Sequence, residues 1–316
     1  MKQMKKLICL CLLAVLLCAC ADKRESVQGF ALDTVITITS GKKDNPTSRK
    51  ALSMCSDYEK IFSKTNSESD LSKLNNGKLS PDGELLEVLD FSLDMASLSG
   101  GAFDPTVKPL TDLWDIKNRT VPPSEEEIES ALKNVGYNSI SLYPFSASGK
   151  QFDLGGVAKG YIADKMCEYM KAEGAEGFII DLGGNVIVNG KYTVGIRDPF
   201  KTDEIYATFE LENKSAATSG AYQRYFEYNG TRYHHIIDPR TGKCSDSGIA
   251  SVTVISPSSM RADALSTALF VLGEEGLELL NKFSDTDAFI IKKDGTAIYS
   301  QDFCEKYKVQ MDYTGS

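Results

Sequence analysis

The amino-acid sequence predicts an α+β protein rich in antiparallel strands, with helices interspersed among them. The second half of the chain has many consecutive short strand patterns and few helical ones, an order typical of antiparallel sheets. The 316 residues are 42% hydrophobic and 25% charged, as in folded globular proteins. No long stretch rich in Pro, Gly or Ser divides the chain, so we expect one large domain.

The first half of the chain contains one strand pattern and three helix signals. Residues 30–38 alternate between apolar and polar side chains, which predicts a strand. Residues 45–62 and 83–98 have helical patterns, and the second of these ends at a glycine pair. Ser124 followed by Glu127 predicts the capping box of a further helix.

The second half of the chain begins with a Gly-rich turn and a helix over 157–173. The next expected elements are strands at 177–181, 192–197, 205–211, 222–228, 231–237 and 249–255, helices at 258–272 and 274–283, and a hairpin of 287–292 with 295–300. The dipeptide Asn229-Gly230 predicts a tight hairpin turn.

Residues 1–19 have the features of an export signal. Three lysines precede thirteen uninterrupted apolar residues, Leu7 to Ala19, a run too short to span a bilayer. The following Cys20 completes a stretch that resembles a bacterial lipobox, whereas Cys18 is the poorer candidate because bulky Leu17 precedes it. We therefore expect lipidation (diacylglycerol and palmitate) at Cys20, a tether over 20–29 and the folded domain over 30–312. A plain secretory signal is the alternative.

These features predict an exported protein, anchored by lipid to a bacterial membrane and facing outside the cytoplasm. The net charge of −9 argues against nucleic acid as a partner, because a polyanion is repelled by such a surface. His234 and His235 are the two histidines, so a site with several imidazole ligands is excluded. The four cysteines of the expected folded domain lack C-x-x-C spacing, which argues against a zinc or thioredoxin site.

Asp263 and Thr267 form the first candidate site. They are four residues apart in a predicted helix, so they lie on the same helix face. A carboxylate and a hydroxyl are oxygen ligands of the kind that Mg²⁺ prefers. An incidental polar pair on a helix surface, or a surface charge pair with Arg261, is the alternative interpretation.

Two glycine-containing motifs are candidates for binding a nucleotide. The run from Asp153 to Tyr161 places glycines and Lys159 at a helix start, where free N–H groups can bind phosphate. Phe103 and Asp104 precede a proline, and they could stack on a heterocycle and accept hydrogen bonds from it. The alternatives are glycines required for helix packing and a core phenylalanine beside a turn aspartate.

Seven phrases, in the same order as in its members, resemble the ApbE family of FAD:protein FMN transferases. They are GAFDPTVKPL, DLGGVAKGYIADK, DLGGN, VGIRDP, TSGAYQRYF, HHIIDPRTG and MRADALSTALFVLG. The resemblance implies an ApbE-like fold and Mg²⁺-dependent transfer of FMN from FAD to a threonine or serine hydroxyl of an acceptor protein, with release of AMP. The implied acceptor is an exported or membrane redox subunit.

The resemblance also implies roles for particular residues. The metal ligands would be the Ala158 carbonyl, Asp263 and Thr267. The residues that contact flavin and phosphate would be Leu32, Ala102, Phe103, Asp104, Gly155, Lys159, Tyr161, His235 and Ile237. Lys159 would neutralise phosphate charge, and His235 would be the base for the acceptor hydroxyl, with Asp104 as the alternative base.

The chain departs from the family pattern at two places. Thr65 and Asn66 stand near a position where many members carry an aromatic residue beside the flavin. The resemblance implies that some relatives with a small polar residue in that region also act as FAD pyrophosphatases, so hydrolysis of FAD to FMN and AMP is an alternative function. Leu32 and Asp33 replace the usual Met-Gly before a threonine. A non-catalytic flavin-binding lipoprotein is the third hypothesis.

Overall fold

The computed structural model describes residues 24–311; Cys20 and the export signal lie outside them. The strands are β1 (Arg24–Ala31), β2 (Thr34–Gly41), β3 (Ser141–Leu142), β4 (Phe145–Ser146), β5 (Phe178–Leu182), β6 (Asn185–Asn189), β7 (Lys191–Arg197), β8 (Ile205–Glu212), β9 (Ser215–Gly220), β10 (Tyr225–Tyr228), β11 (Thr231–His234), β12 (Ile249–Ser256), β13 (Asp287–Lys292), β14 (Ala297–Tyr299) and β15 (Gln310–Met311).

The α-helices over the same residues are α1 (Asn45–Phe62), α2 (Asp70–Asn75), α3 (Gly83–Leu98), α4 (Lys108–Trp114), α5 (Glu125–Leu132), α6 (Ala158–Ala172), α7 (Ser259–Leu272) and α8 (Phe303–Lys306). Three 3₁₀ segments are Lys42–Asp44, Tyr137–Ser139 and Gly273–Lys282. None of these helices is long and apolar enough to cross a membrane.

An eight-stranded antiparallel sheet organises the described residues, in the order β1-β2-β5-β6-β9-β12-β13-β14. Side chains of a strand alternate between its two faces, so the sheet has two apolar layers. Ile290 packs in the layer that contains α1, α3, α6 and α7, whereas Phe289 and Ile291 pack in the layer under β7 and β8. The expected antiparallel-rich α+β fold is confirmed.

A third apolar cluster attaches the β10–β11 hairpin to α4 and α5. Trp114 and Ile128 pack there with Ile237, and the Trp114 indole N–H donates to the Gly242 carbonyl at 2.8 Å. The Trp114 ring also stacks on the Tyr233 ring, with 5.7 Å between the ring centroids. These contacts hold the segment that carries both histidines.

Most local expectations agree with the structure. Helices α1 and α3 have the expected bounds. The Ser124 and Glu127 capping box is present at the start of α5. The hairpin turn at Asn229 and Gly230 is also confirmed, with φ of 49° and 76°.

The expected strand over 30–38 is wrong, because the chain turns back in its middle. Leu32 and Asp33 have φ of 54° and 60°, and they join β1 to β2 as a two-residue hairpin turn. Arg24 to Gly29, expected in the tether, belong to β1 because β2 supplies hydrogen-bond partners along its whole length. The expected strand over 222–228 begins at Tyr225, the one over 231–237 ends at His234, and the expected helix over 274–283 is a 3₁₀ segment. Strands β6 and β9 were not predicted.

Candidate functional site

Helices α6 and α7 touch at Gly160. A Cβ at this position would lie 2.3 Å from the Ser259 carbonyl oxygen and 2.7 Å from the Met260 Cα, so only glycine allows this approach. The Gly160 N–H donates to Asp263 Oδ2 at 3.0 Å. At the start of α7, the Asp164 carboxylate accepts from the Ser259 and Met260 N–H groups at 2.8 and 3.0 Å. The position of Asp263 relative to α6 is therefore determined by backbone contacts.

A polar cluster surrounds this helix contact. The Lys159 ammonium donates to Asn185 Oδ1 at 3.0 Å and lies 3.7 Å from Asp263 Oδ1. The Thr267 hydroxyl is 3.4 Å from the Asp263 carbonyl and 3.4 Å from the Ser219 hydroxyl. Residues from α6, β6, β9 and α7 thus meet at one place.

Gly156 connects this cluster to the Phe103 motif. A Cβ on Gly156 would lie 3.2 Å from Phe103 Cε2 and 3.3 Å from Thr267 Oγ1. The motifs around Phe103, Lys159 and Asp263, which are far apart in sequence, are therefore neighbours in space.

The residues expected to hold a metal fit Mg²⁺ by their chemistry. Asp263 is buried; its Oδ2 is occupied by the Gly160 N–H. Its Oδ1 faces Lys159 at 3.7 Å, beyond hydrogen-bond distance, and so keeps lone pairs for a cation. Thr267 follows one helical turn later, and Ala158, whose carbonyl is the third expected ligand, is the first residue of α6. Carboxylate, hydroxyl and carbonyl oxygens are the hard ligands that Mg²⁺ takes.

No group of three or more His, Cys, Asp or Glu side chains within residues 24–311 could hold a metal. The expected ligand set contains one such side chain, Asp263, because its other members are a hydroxyl and a backbone carbonyl.

Asp104 organises the turn beside Phe103. Its Oδ1 accepts from the Thr106 N–H and hydroxyl at 2.8 and 2.7 Å, and its Oδ2 accepts from the Tyr137 N–H at 3.0 Å. Burial raises the pKa of this carboxyl above its usual range. Ala102 and Phe103 are themselves buried. Both carboxylate oxygens of Asp104 are therefore engaged within the turn. These contacts agree with the alternative interpretation, in which Asp104 stabilises a turn beside a core phenylalanine.

The loop that contains Thr65 and Asn66 is attached to the glycine turn of the site. The Lys64 ammonium donates to Asp153 Oδ2 at 2.6 Å and to the Thr111 hydroxyl at 2.8 Å. Burial opposes ionisation of Asp153, but the Lys64 charge and the hydrogen bonds that the carboxylate accepts together outweigh burial and hold the pKa of that carboxyl below its usual value. Thr65 and Asn66 are exposed at this loop, next to an anchored lysine.

Three more of the residues expected to contact flavin or phosphate are Leu32, Gly155 and Ile237. Leu32, in the β1–β2 turn, donates its N–H to Glu59 Oε1 at 2.9 Å. Gly155 is exposed at the start of the glycine turn. Ile237 is buried in the apolar cluster around Trp114.

Tyr161 points away from the Lys159 cluster. Its hydroxyl donates to Glu87 Oε2 at 2.8 Å, and its ring packs edge-on against Tyr58 and Phe62 of α1. Burial raises the pKa of the Tyr161 phenol. The structure places this side chain in the core between α1, α3 and α6.

The two histidines have different surroundings. His234 is buried, with Nε2 donating to the Ser245 carbonyl at 3.1 Å and Nδ1 accepting from the Ile236 N–H at 3.3 Å. His235 is half-buried, with Nδ1 at 3.4 Å from the Arg224 carbonyl. Burial, followed by the Arg224 charge, lowers the pKa of His235 to about 4. At neutral pH the His235 imidazole is therefore uncharged and has a lone pair for a proton, although the lowered pKa makes it a weaker base than an exposed histidine.

Comparison with known proteins agrees with the arrangement of these motifs. The family model described as "ApbE family" matches residues 32–290. This chain belongs to the ApbE family. Two relatives are named "FAD:protein FMN transferase". The one from Treponema pallidum (strain Nichols) is 34% identical over 283 residues, covering 79% of this chain and 78% of its own. The one from Klebsiella pneumoniae (strain 342) is 32% identical over 257 residues, covering 77% and 81%.

Solved ApbE structures share the fold. The ApbE protein of Thermotoga maritima superposes with a TM-score of 0.81 at 32% identity, over 89% of this chain and 98% of that one. The apo form of the Pseudomonas stutzeri flavinyl transferase ApbE gives a TM-score of 0.78 at 28% identity, over 90% and 96%.

Sequence reasoning did not select Asn185, Ser219 or Lys64, which the structure brings to the site. Asn185 is the last letter of the DLGGN phrase, and that position was the available signal. Ser219 is the second letter of the TSGAYQRYF phrase, so the same signal was available for it. Lys64 lies outside the phrases, and its contacts are with residues distant in sequence.

Proposed function

We propose that this protein is an Mg²⁺-dependent FAD:protein FMN transferase. Membership of the ApbE family and the shared name of its relatives support this reaction. The observation that carries the proposal is the meeting of Lys159, Asp263 and Thr267 where α6 and α7 touch. A cation and oxygen ligands in one place are what transfer of a phosphoryl group from a diphosphate requires.

In this proposal the acceptor hydroxyl attacks the FMN phosphorus, and the bond to the AMP phosphate oxygen breaks. The Lys159 ammonium binds the phosphate oxygens. His235, uncharged at neutral pH, accepts the proton of the acceptor hydroxyl. Asp263, Thr267 and the Ala158 carbonyl would hold Mg²⁺, which neutralises phosphate charge when bound.

We further propose that the protein acts outside the cytoplasm. The lipobox-like stretch at Cys20 supports a lipid anchor. Acyl chains would hold the domain at a membrane surface, where each buried CH₂ adds about 0.8 kcal/mol. The acceptor in this proposal is an exported or membrane redox subunit with a threonine or serine to be flavinylated.

FAD hydrolysis to FMN and AMP is the second candidate function. Thr65 and Asn66 are exposed and polar, so they provide no aromatic surface to retain a flavin. Water could then replace the acceptor hydroxyl at the same phosphorus. A flavin-binding protein without catalysis is less compatible with these two residues, because storage favours aromatic stacking.

One experiment separates the three functions. The protein is incubated with FAD and Mg²⁺, with and without an acceptor domain, and the products are measured by mass spectrometry and chromatography. Covalent FMN on the acceptor supports the transferase. FMN and AMP with no covalent product supports the hydrolase, and unchanged FAD under both conditions would contradict both enzymes.

A further inference from the structure

Asn185 has a buried side-chain amide in which only one of the two polar atoms has a hydrogen-bond partner among the described residues. It is the first residue of β6 and lies opposite Ala217 of β9. The side chain is 1% exposed, and its Oδ1 accepts from Lys159 at 3.0 Å. Its Nδ2, although buried, has no hydrogen-bond partner among the described residues.

The contact with Lys159 determines which way the amide points. A lysine ammonium can only donate, so the atom that faces it must be the amide oxygen. The opposite orientation would place two donors against each other. Nδ2 is therefore a second donor beside the Lys159 ammonium.

An unmade hydrogen bond from a buried donor is costly, about 1–3 kcal/mol. Folded proteins leave few such groups, and one in a candidate site needs a reason. A neutral donor next to a cation is suited to an acceptor that carries negative charge. In this family site the substrate groups of that kind are the phosphate oxygens of FAD.

We propose that Asn185 binds the diphosphate of FAD. Its Oδ1 holds the Lys159 ammonium in place, and its Nδ2–H donates to a phosphate oxygen. This inference rests on the proposed function, because it takes FAD as the substrate. It adds a residue whose role is divided between orienting a cation and contacting the substrate.

Two substitutions separate these parts of the role. Asn185→Asp keeps an acceptor for Lys159 and the shape of the side chain, but replaces the donor with negative charge. Asn185→Ser removes both contacts and leaves a small polar residue that the site can accommodate. Asn189→Asp is the matched control, because Asn189 ends the same strand and accepts from the Gly177 N–H at 3.0 Å, away from Lys159.

The measurement is the dissociation constant of FAD and of riboflavin, in EDTA to prevent turnover. We expect both Asn185 variants to bind FAD at least about tenfold more weakly, the range for hydrogen bonds to charged groups. Riboflavin, which has no phosphate, should bind each variant within about twofold of wild type. The Asn189 variant should bind both ligands normally. Thermal unfolding checks that each variant is folded.

The inference is overturned if a folded Asn185 variant binds FAD as tightly as wild type, or loses FAD and riboflavin affinity equally. Transfer of FMN to the acceptor is measured separately on wild type. Selective loss of FAD binding in the variants, without any transfer by wild type, would support the diphosphate contact and refute the proposed function. Normal transfer by wild type, with unaltered FAD binding in the variants, would support the proposed function and refute the diphosphate contact.

Discussion

Asp263 combines structural and chemical demands in one side chain. One carboxylate oxygen accepts from the Gly160 backbone, and the other faces the Lys159 ammonium. Its burial would be costly without these partners, because a buried charge requires compensation. These partners also leave Asp263 Oδ1 near the Lys159 ammonium, and the Thr267 hydroxyl lies one helical turn further along.

Asp263→Asn should reduce turnover by more than about 100-fold at ordinary Mg²⁺, because it removes the only charge in the proposed ligand set. Thr267→Val removes a neutral ligand of similar shape, so it should reduce turnover less and raise the Mg²⁺ requirement. FMN transfer measured across a Mg²⁺ titration checks both. Normal turnover by a folded Asp263→Asn variant would show that the metal ligands are misassigned.

His234 should make stability depend on pH. Burial lowers the pKa of His234 from 6.5 to about 4, so the unfolded chain binds its proton at higher pH than the folded protein does. The resulting stabilisation is complete above pH 6.5 and is lost as the pH falls toward 4. Between pH 7 and 5 we expect a loss of roughly 2 kcal/mol from this group.

Urea unfolding at pH 7 and pH 5 measures this difference. The His234→Asn variant is less stable at pH 7, but its free energy of unfolding should fall less between the two values. An equal fall in wild type and variant would mean that His234 does not titrate as the structure indicates.

At the scale of elements, the contact between α6 and α7 positions the polar cluster. It brings the start of one helix against the first turn of the other, with Gly160 at the point of closest approach. Asp164 caps α7 from α6, so the two helices are joined by hydrogen bonds as well as by packing. The site depends on two helices that are about 100 residues apart along the chain.

Gly160→Ala should push α6 and α7 apart, because its methyl group would overlap backbone atoms that cannot move independently. We expect a loss of about 1–3 kcal/mol in the free energy of unfolding and a loss of activity. Lys171→Ala, at the exposed end of α6, should change stability by less than about 0.5 kcal/mol. Chemical denaturation compares them, and equal stability of the two variants would contradict the close contact.

The loop after α1 should control how long a flavin remains bound. Thr65→Tyr or Asn66→Tyr adds an aromatic surface worth about 0.5–1.5 kcal/mol, so at least one variant should bind FAD more tightly and hydrolyse it more slowly without acceptor. Lys171→Tyr, an added tyrosine far along α6, should change neither property. If both loop variants retain wild-type affinity and hydrolysis, the loop does not adjoin the flavin.

For the whole molecule, the proposed anchor precedes the first strand closely. Arg24 begins β1, four residues after Cys20, so a lipid at that cysteine would hold the sheet edge near the membrane. With such an anchor, the domain would need little tether to remain at a surface.

Cys20→Ala should release the protein from membranes into the soluble exported fraction, whereas Cys18→Ala should leave it bound. Fractionation and mass spectrometry of the mature N-terminus check this outcome. Membrane retention of the Cys20 variant, with no acyl mass on wild type, would refute the lipid anchor.

The sequence by itself determined the features that depend on neighbouring residues. The capping box of Ser124 and the hairpin turn at Asn229 were predictable because each arises from residues at most three apart. The family phrases, including the one that contains Asp263, were readable for the same reason. The turn at Leu32 was not, because leucine rarely adopts positive φ and no glycine marks the position.

Only the tertiary structure decided which of these residues meet. Lys159, Asn185 and Asp263 converge because Gly160 allows two helices to touch and because β6 lies beneath them. It also directed Tyr161 into the core, although its motif is that of the site. Such contacts depend on packing between distant segments, and no local pattern records which buried donor is left without a partner.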